Sequence, residues 1–374
     1  MARINSNQNQ GPSGDPTDSA YSQWMKSTGI PIHRGYHIGD LRTLELGRWD
    51  ERGCDAAFLE MVGSEGVNEA RVTEIAPGKT LPPHTFSLDE VVYVVQGRGL
   101  TTVWQGDKSS AKSFEWQKHS VFMLPGNHTY QMSNMDGKLP VRLLHYNYLP
   151  IVMELIPDPE FLFNNPLAAK ASVKTSDNLY ADAQEVVVNG PRIRTVWTGN
   201  FFPDLSVWDK LDAYGWRGAG GQHLTLRFPG SPVRSHMSVF PSKTYKKAHR
   251  HGPGVMIVIP AGEGYSPMWP EGQKKVEIPW QEASVFVPPD MWFHQHFNVG
   301  ALPARYLAFH MPAFMRMSAE RVVDPAKDQI EYVNEDPWVR QKFAEELGKR
   351  GIKSTMPDEA YRNRDYVWAD VGKS

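Results

Sequence analysis

Cysteine is nearly absent: Cys54 is the only one in 374 residues. No intrachain disulfide can form, and a reducing, cytoplasmic setting is expected. Long apolar runs are missing too, none approaching the ~18–20 residues of a membrane helix. The opening stretch MARINSNQNQGPSGDPTDS has no apolar core, which argues against a secretory signal. There is no surplus of either charge, with 40 Lys+Arg against 42 Asp+Glu. Neither nucleic acid nor an anionic membrane is therefore an expected partner. A helix-turn-helix pattern, which a ligand-sensing repressor would need, is also lacking.

What is present suits two domains with ordinary cores: 40% hydrophobic residues, with 12 Trp, 14 Tyr and 16 Phe to fill cores and line a pocket. Residues 1–20 are rich in Asn, Gln, Gly, Ser and Pro and are expected to be disordered. Residues 21–150 hold a lead-in and then short β-branched or aromatic runs such as EVVYVV, SVFMLP and VRLLHYNYL, bounded by Gly, Pro and Asn. Many short strands at close spacing predict an all-β barrel or sandwich. Residues 151–220 form a connecting segment whose Trp197, Phe201, Phe202, Trp208 and Trp216 suggest packing across both halves. The strand pattern returns over 221–315. The tail, 316–374, carries one helix at 337–350. Asp336 caps it, Pro337 fits its first turn, Val339, Phe343 and Leu347 share a stripe, and Gly351 ends it. Its expected role is packing against a barrel or a second subunit.

The two strand regions repeat one plan. Pro77, Lys79 and Thr80 match Pro241, Lys243 and Thr244; His84 matches His249; Gly97 and Gly99 match Gly262 and Gly264. Trp104, Trp116, Ser120, Pro125, Asn134 and Arg142 match Trp269, Trp280, Ser284, Pro289, Asn298 and Arg305. The offset stays between 163 and 165 throughout, which indicates an internal duplication.

The copies differ in their chemistry. On a strand, residues i and i+2 share a face, so His249 and His251 can aim at one point, as can His294 and His296. Two imidazole pairs from short apolar strands suggest a first-row metal site. At the positions of His249, His251 and His294 the first copy has His84, Phe86 and Tyr130. It is read as metal-free; the alternative is a weak His84–Glu90–Tyr130 site, with His128 as a further possible ligand.

These blocks resemble the cupin superfamily, whose two motifs are spaced like His249-Arg-His251…Gly262 and Pro289…His294…Asn298 here, and like His84, Glu90, Gly97, Pro125 and Asn134 in the first copy. The resemblance implies two tandem jelly-roll barrels, a bicupin with a helical C-terminal tail. Within the superfamily the second copy resembles the gentisate and salicylate 1,2-dioxygenases, through HRH at 249–251 and MWFHQHFN at 291–298. It departs from them in carrying the full set in the second barrel. That resemblance implies His249, His251 and His294 as metal ligands, a homo-oligomer, and an Fe(2+) dioxygenase acting with O2 on a small aromatic or hydroxylated acid. Mn, Ni or Zn in the same site would suit a non-redox lyase, isomerase or hydrolase, and a non-catalytic small-ligand-binding bicupin is the remaining alternative. The usual cupin glutamate should fall near Val255 or Met256, so no carboxylate ligand is expected. His296 is the expected pocket acid or base, with a fourth-ligand role as the alternative. His236, Tyr245, Trp292, Arg305 and His310 are candidate substrate contacts. Arg234, like Arg305, could pair with a substrate carboxylate.

Overall fold

A computed structural model describes residues 18–64, 66–165, 178–188, 193, 195–310 and 325–368. Most of the stretch expected to be disordered, residues 1–17, lies outside these, as do residues 316–324 of the tail. The expected all-β, two-barrel class is what the chain adopts. Each half is a pair of facing, mainly antiparallel sheets in a jelly-roll plan.

In the first half the larger sheet runs Ile32–Gly35, Cys54–Met61, Glu69–Ile75, Val141–Asn147, Glu90–Gln96, Val121–Leu124 and Phe201–Phe202. The smaller is His84–Phe86, His128–Asn134, Arg98–Trp104 and Lys112–Gln117. In the second half the larger sheet contains Gln222–Arg227, Arg234–Phe240, Ala304–His310, Met256–Ala261 and Val285–Phe286. Facing it are Val276–Trp280, Gly264–Trp269, Phe293–His294 and Ala248–His249. EVVYVVQ at Glu90–Gln96 is apolar without alternation because it lies between two other strands and is covered on both faces.

The pairing crosses the limits that the sequence suggested for the domains. The lead-in strand His37–Ile38 adds to the second barrel beside Val285–Phe286. The connecting segment returns the exchange, with Phe201–Phe202 beside Val121–Phe122 of the first. The same anchor recurs: Ser120 Oγ donates to Pro203 O and Ser284 Oγ to Gly39 O, both at 2.6 Å. The connecting segment thus spans both barrels, and the lead-in does so as well. One core joins the halves, with Val72, Tyr93 and Tyr146 meeting Leu226, Met237 and Phe309; Tyr146 stacks on Phe309 at 5.4 Å between centroids. Burying such side chains is the main term holding the barrels together.

Equivalent frame residues do equivalent work. Asn134 donates to the carbonyls of Ile75, Ala76 and Leu139, and Asn298 to those of Phe240, Pro241 and Leu302. Gly99 and Gly264 sit where a Cβ would strike a neighbouring carbonyl and the ring of Trp116 or Trp280, so only glycine fits. The asparagine bonds also correct the repeat by one position in one turn, aligning Ala76 with Pro241. Gly78 then matches Lys243, and both are left-handed, at φ 65° and 58°.

The tail helix spans Pro337–Gly348, two residues shorter than expected, with Asp336 capping Trp338 N at 3.0 Å. Val339, Phe343 and Leu347 pack onto Tyr245, Tyr265 and Phe297 of the second barrel. Ahead of it, Gln329–Ile330 adds a strand beside Ala248–His249. The tail therefore braces the sheet that presents His249. Among the described residues, no helix is long and apolar enough to cross a membrane.

Candidate metal centre

The smaller sheet of the second barrel brings His249 and His294 directly opposite each other as a register pair. His251 follows two residues beyond His249. Ring centroids lie 4.3 Å apart for His249–His294, 4.6 Å for His251–His294 and 5.8 Å for His249–His251. One nitrogen from each lies within 4.8 Å of the other two. The intervening Arg250 points away, its Nε donating to Asp328 at 3.0 Å and its Nη1 to Glu271 at 2.9 Å.

The backbone sets the tautomer. His249 Nδ1 faces Lys247 O at 3.4 Å, His251 Nδ1 faces Gly252 O at 2.8 Å, and His294 Nδ1 faces Trp292 O at 3.2 Å. A carbonyl only accepts, so each Nδ1 carries the proton and each Nε2 keeps its lone pair. Orientation of this kind is usual around metal-ligating imidazoles. His294 Nε2 is buried with no hydrogen-bond partner. Burial, then the neighbouring imidazoles of His251 and His296, holds the His294 pKa well below its ordinary value. Burial, then Arg217 and His294, does the same for His249. Both are neutral at pH 7 and ready to donate a lone pair. Three imidazole nitrogens around one point fit a first-row divalent ion.

The cluster opens on a cavity of about 250 Å³. Its far wall is a grid read from strand register. Arg227, Arg234 and His310 form one row; Thr225, His236 and Ala308 the next; His223, Ser238 and Tyr306 the third. Val255 and Ile257 extend the wall, and Tyr214, Trp216 and Arg217 also line it. Among the described residues, no Asp or Glu lines it.

The other candidates divide. His296 lines the cavity with its ring 5.5 Å from that of His294, and its Nδ1 is 2.8 Å from Ser266 Oγ. Burial pushes its pKa down to about 3. His236 and His310 also line the cavity, with Nδ1 of the first 2.6 Å from Nε2 of the second. Tyr245, Trp292 and Arg305 do not belong to it. Tyr245 stacks on Phe297 and packs against Phe343 on the tail side, its hydroxyl donating to Glu335. Trp292 packs beside Tyr36. Arg305 turns outward and donates to the carbonyls of Leu205 and Trp208. These three have the right chemistry and neighbourhood in sequence, but strand alternation or loop direction carries them away.

Several pocket groups escaped the sequence. His223, Ser238 and Tyr306 complete the third row, and Lys246 lies behind it, wholly buried, its ammonium donating to Ser238 Oγ. Burial, then Arg217, lowers the Lys246 pKa to about 7. A signal existed. Lys246 N bonds to His296 O as Leu81 N bonds to Met132 O, and Ser238 pairs with Tyr306 as Thr73 pairs with Leu143. A lysine replacing a leucine inside a duplicated barrel marks a chemical position.

No family model matches the chain, and no curated protein matches it. Among solved structures it is similar to the Lactobacillus farciminis oxalate decarboxylase formate complex, at 14% identity and TM-score 0.47, covering 74% of this chain and 86% of that one. It is also similar to Bacillus subtilis oxalate decarboxylase, in a structure whose subject is its Mn(II) centers. There the identity is 11% and the TM-score 0.49, with 91% and 89% of the two chains covered. At that distance the chemistry of this pocket rests on its own side chains.

Proposed function

We propose that the protein is a mononuclear metalloenzyme that acts on a small, oxygen-rich anion by metal-assisted acid–base chemistry of the lyase or isomerase kind. The observation that carries this reading is the bare, buried His294 Nε2 converging with His249 and His251 on a pocket where, among the described residues, imidazoles line the wall and no acid does. A divalent ion held there, Mn, Zn, Ni or Fe, supplies Lewis-acid polarisation of a carbonyl or carboxyl group. The chain's own groups handle protons. The Lys246 amine, with its pKa near neutrality, reaches the cavity through the Ser238 hydroxyl. His236 Nδ1 and His310 Nε2 share one N–H between them, which fixes both rings on that wall of the cavity. His296 Nδ1 is engaged by Ser266, which fixes its ring beside the cluster as a pocket wall and hydrogen-bonding group.

A second reading, an Fe(2+) dioxygenase of the gentisate type, is favoured by one feature. Val255 stands where the first barrel has Glu90, so the ligand set has no carboxylate and the ion keeps its full charge. A redox-active ion there would support O2-dependent oxidation of a bidentate acid. The test is elemental analysis followed by turnover of a panel of hydroxy, keto and dihydroxybenzoic acids with and without O2. Turnover that continues anaerobically supports the lyase reading; turnover matched by oxygen uptake supports the dioxygenase. Purified protein that takes up no divalent ion would end both.

A further inference from the structure

We infer that Arg234 is a carboxylate subsite, so that the substrate bears a second anionic group remote from the one presented to the metal. This rests on, and deepens, the reading of the pocket as a metal-dependent site.

The Nε and Nη2 atoms of Arg234 are buried and have no hydrogen-bond partner. Those two N–H groups form the side-on edge of the guanidinium, the fork that receives both oxygens of a planar carboxylate. A buried guanidinium edge left without an acceptor is costly, and such a cost is commonly retained where a ligand relieves it. Arg234 stands in one row with Arg227 and His310. Among the described residues no lining side chain offers a carboxylate, which leaves a bound acid as the acceptor that fits. The cavity of about 250 Å³ has room for a small acid.

The first barrel shows what the missing partner looks like. Glu69 pairs in register with Asn147 as Arg234 pairs with His310, and Arg71 with His145 as His236 with Ala308. Glu69 therefore occupies Arg234's place and Arg71 that of His236. Val91 pairs with Tyr146 as Met256 pairs with Phe309, which sets Glu90 at the place of Val255. There the Arg71 guanidinium is met by both carboxylates, Glu69 and Glu90. In the second barrel both acids are gone, and the guanidinium stands at the place of Glu69, with His236 at that of Arg71. The polar interior closed by protein in one copy is left open to a bound acid in the other.

The probe pair is malate or 2-hydroxyglutarate against lactate, which share a 2-hydroxycarboxylate head and differ by the distal carboxylate. Titration calorimetry is run on Mn(2+)-loaded and metal-free protein, wild type and Arg234→Gln. The wild type is expected to bind a diacid on the order of 10- to 100-fold more tightly than lactate, as one charge-assisted bidentate contact implies. Arg234→Gln is expected to erase that preference while leaving lactate affinity and metal content unchanged. Its thermal midpoint without ligand should be equal or higher, because an unpaired buried charge is removed; an arginine kept for structure would lower it. Equal affinities in wild type, no binding of either acid, or a preference that survives Arg234→Gln would overturn the proposal. Failure of the metal reading has its own sign: affinities indifferent to Mn(2+), with the Arg234 effect still present in the metal-free protein.

Discussion

The two barrels share a frame and part company inside it. In the first, the space between the sheets is closed by an ionic network. Arg71 pairs with Glu69 and Glu90, Glu90 accepts from Asn147 at 3.0 Å, and His145 Nδ1 is 2.7 Å from its other oxygen. Burial alone would raise the Glu90 pKa; the Arg71 guanidinium and His145 outweigh it and hold the carboxyl well below its usual range. Arg52 contacts both His84 and Tyr130, the counterparts of His249 and His294. In the second, the same positions carry imidazoles, Arg234 and Val255, and a cavity remains. The difference teaches how a duplicated fold divides its labour. Charges paired within the protein make one copy a brace, and the proposed acid subsite of the other rests on a guanidinium edge that no protein carboxylate meets.

The largest break in the comparison comes from the imidazoles themselves. His294→Ala is expected to drop bound metal from one equivalent to a trace, since it removes the central ligand of the three, while His84→Ala leaves metal content unchanged. Elemental analysis after loading decides it, and equal losses from both variants would sink the assignment of the site to the second barrel. Next comes Arg71→Met. Removing one partner of a buried ionic network strands the others, and such changes cost about 3–5 kcal/mol. Denaturant unfolding should show that loss with metal stoichiometry intact in the folded protein. A variant of wild-type stability would mean that the first barrel is not braced by this network.

How much of this could be read beforehand depends on the kind of signal. The repeat was legible because Asn134/Asn298, Gly99/Gly264 and Trp116/Trp280 serve backbone geometry, which tolerates few residue types. The three-imidazole set was legible because spacing on short strands fixes direction. His236 and His310 also line the cavity, although their spacing alone does not require it. Tyr245, Trp292 and Arg305 misled because residue type says nothing about which side of a strand or turn faces inward. Arg305 could have been rejected by its own duplicate: Arg142 donates to the carbonyls of Leu41 and Leu44 just as Arg305 does to those of Leu205 and Trp208. The exchange of His37–Ile38 and Phe201–Phe202 between barrels was hidden because two-residue strands carry no periodicity.

Lys246→Leu installs the first barrel's residue, Leu81, and sharpens the comparison through pH. A lysine whose pKa falls on folding contributes stability that is present above its unfolded value and lost as pH falls toward the folded one. For Lys246 the window runs from the ordinary 10.5 down to about 7. The variant should therefore gain stability over wild type as pH drops from 10 to 7, and the gain should level off below 7. Thermal melts across that range, with turnover at each pH, check both halves. A difference that does not vary with pH would remove Lys246 from the list of titrating groups, and undiminished turnover would remove it from the proton path.

The smallest effect tests where the copies are alike. Arg142 and Arg305 each span a strand and an incoming loop with paired bonds from one nitrogen to backbone carbonyls. Arg142 also donates to Glu74 at 2.6 Å. Alanine at either position gives up hydrogen bonds from a charged donor at a partly solvated surface, worth about 1–2 kcal/mol. Both variants should lose that much in chemical denaturation, Arg142→Ala slightly more through its ion pair, and neither should change metal content or acid affinity. If Arg305→Ala alone weakened acid binding, the loop at Leu205–Trp208 that it holds would be shaping the cavity from outside. The symmetry of the frame would then end at that corner.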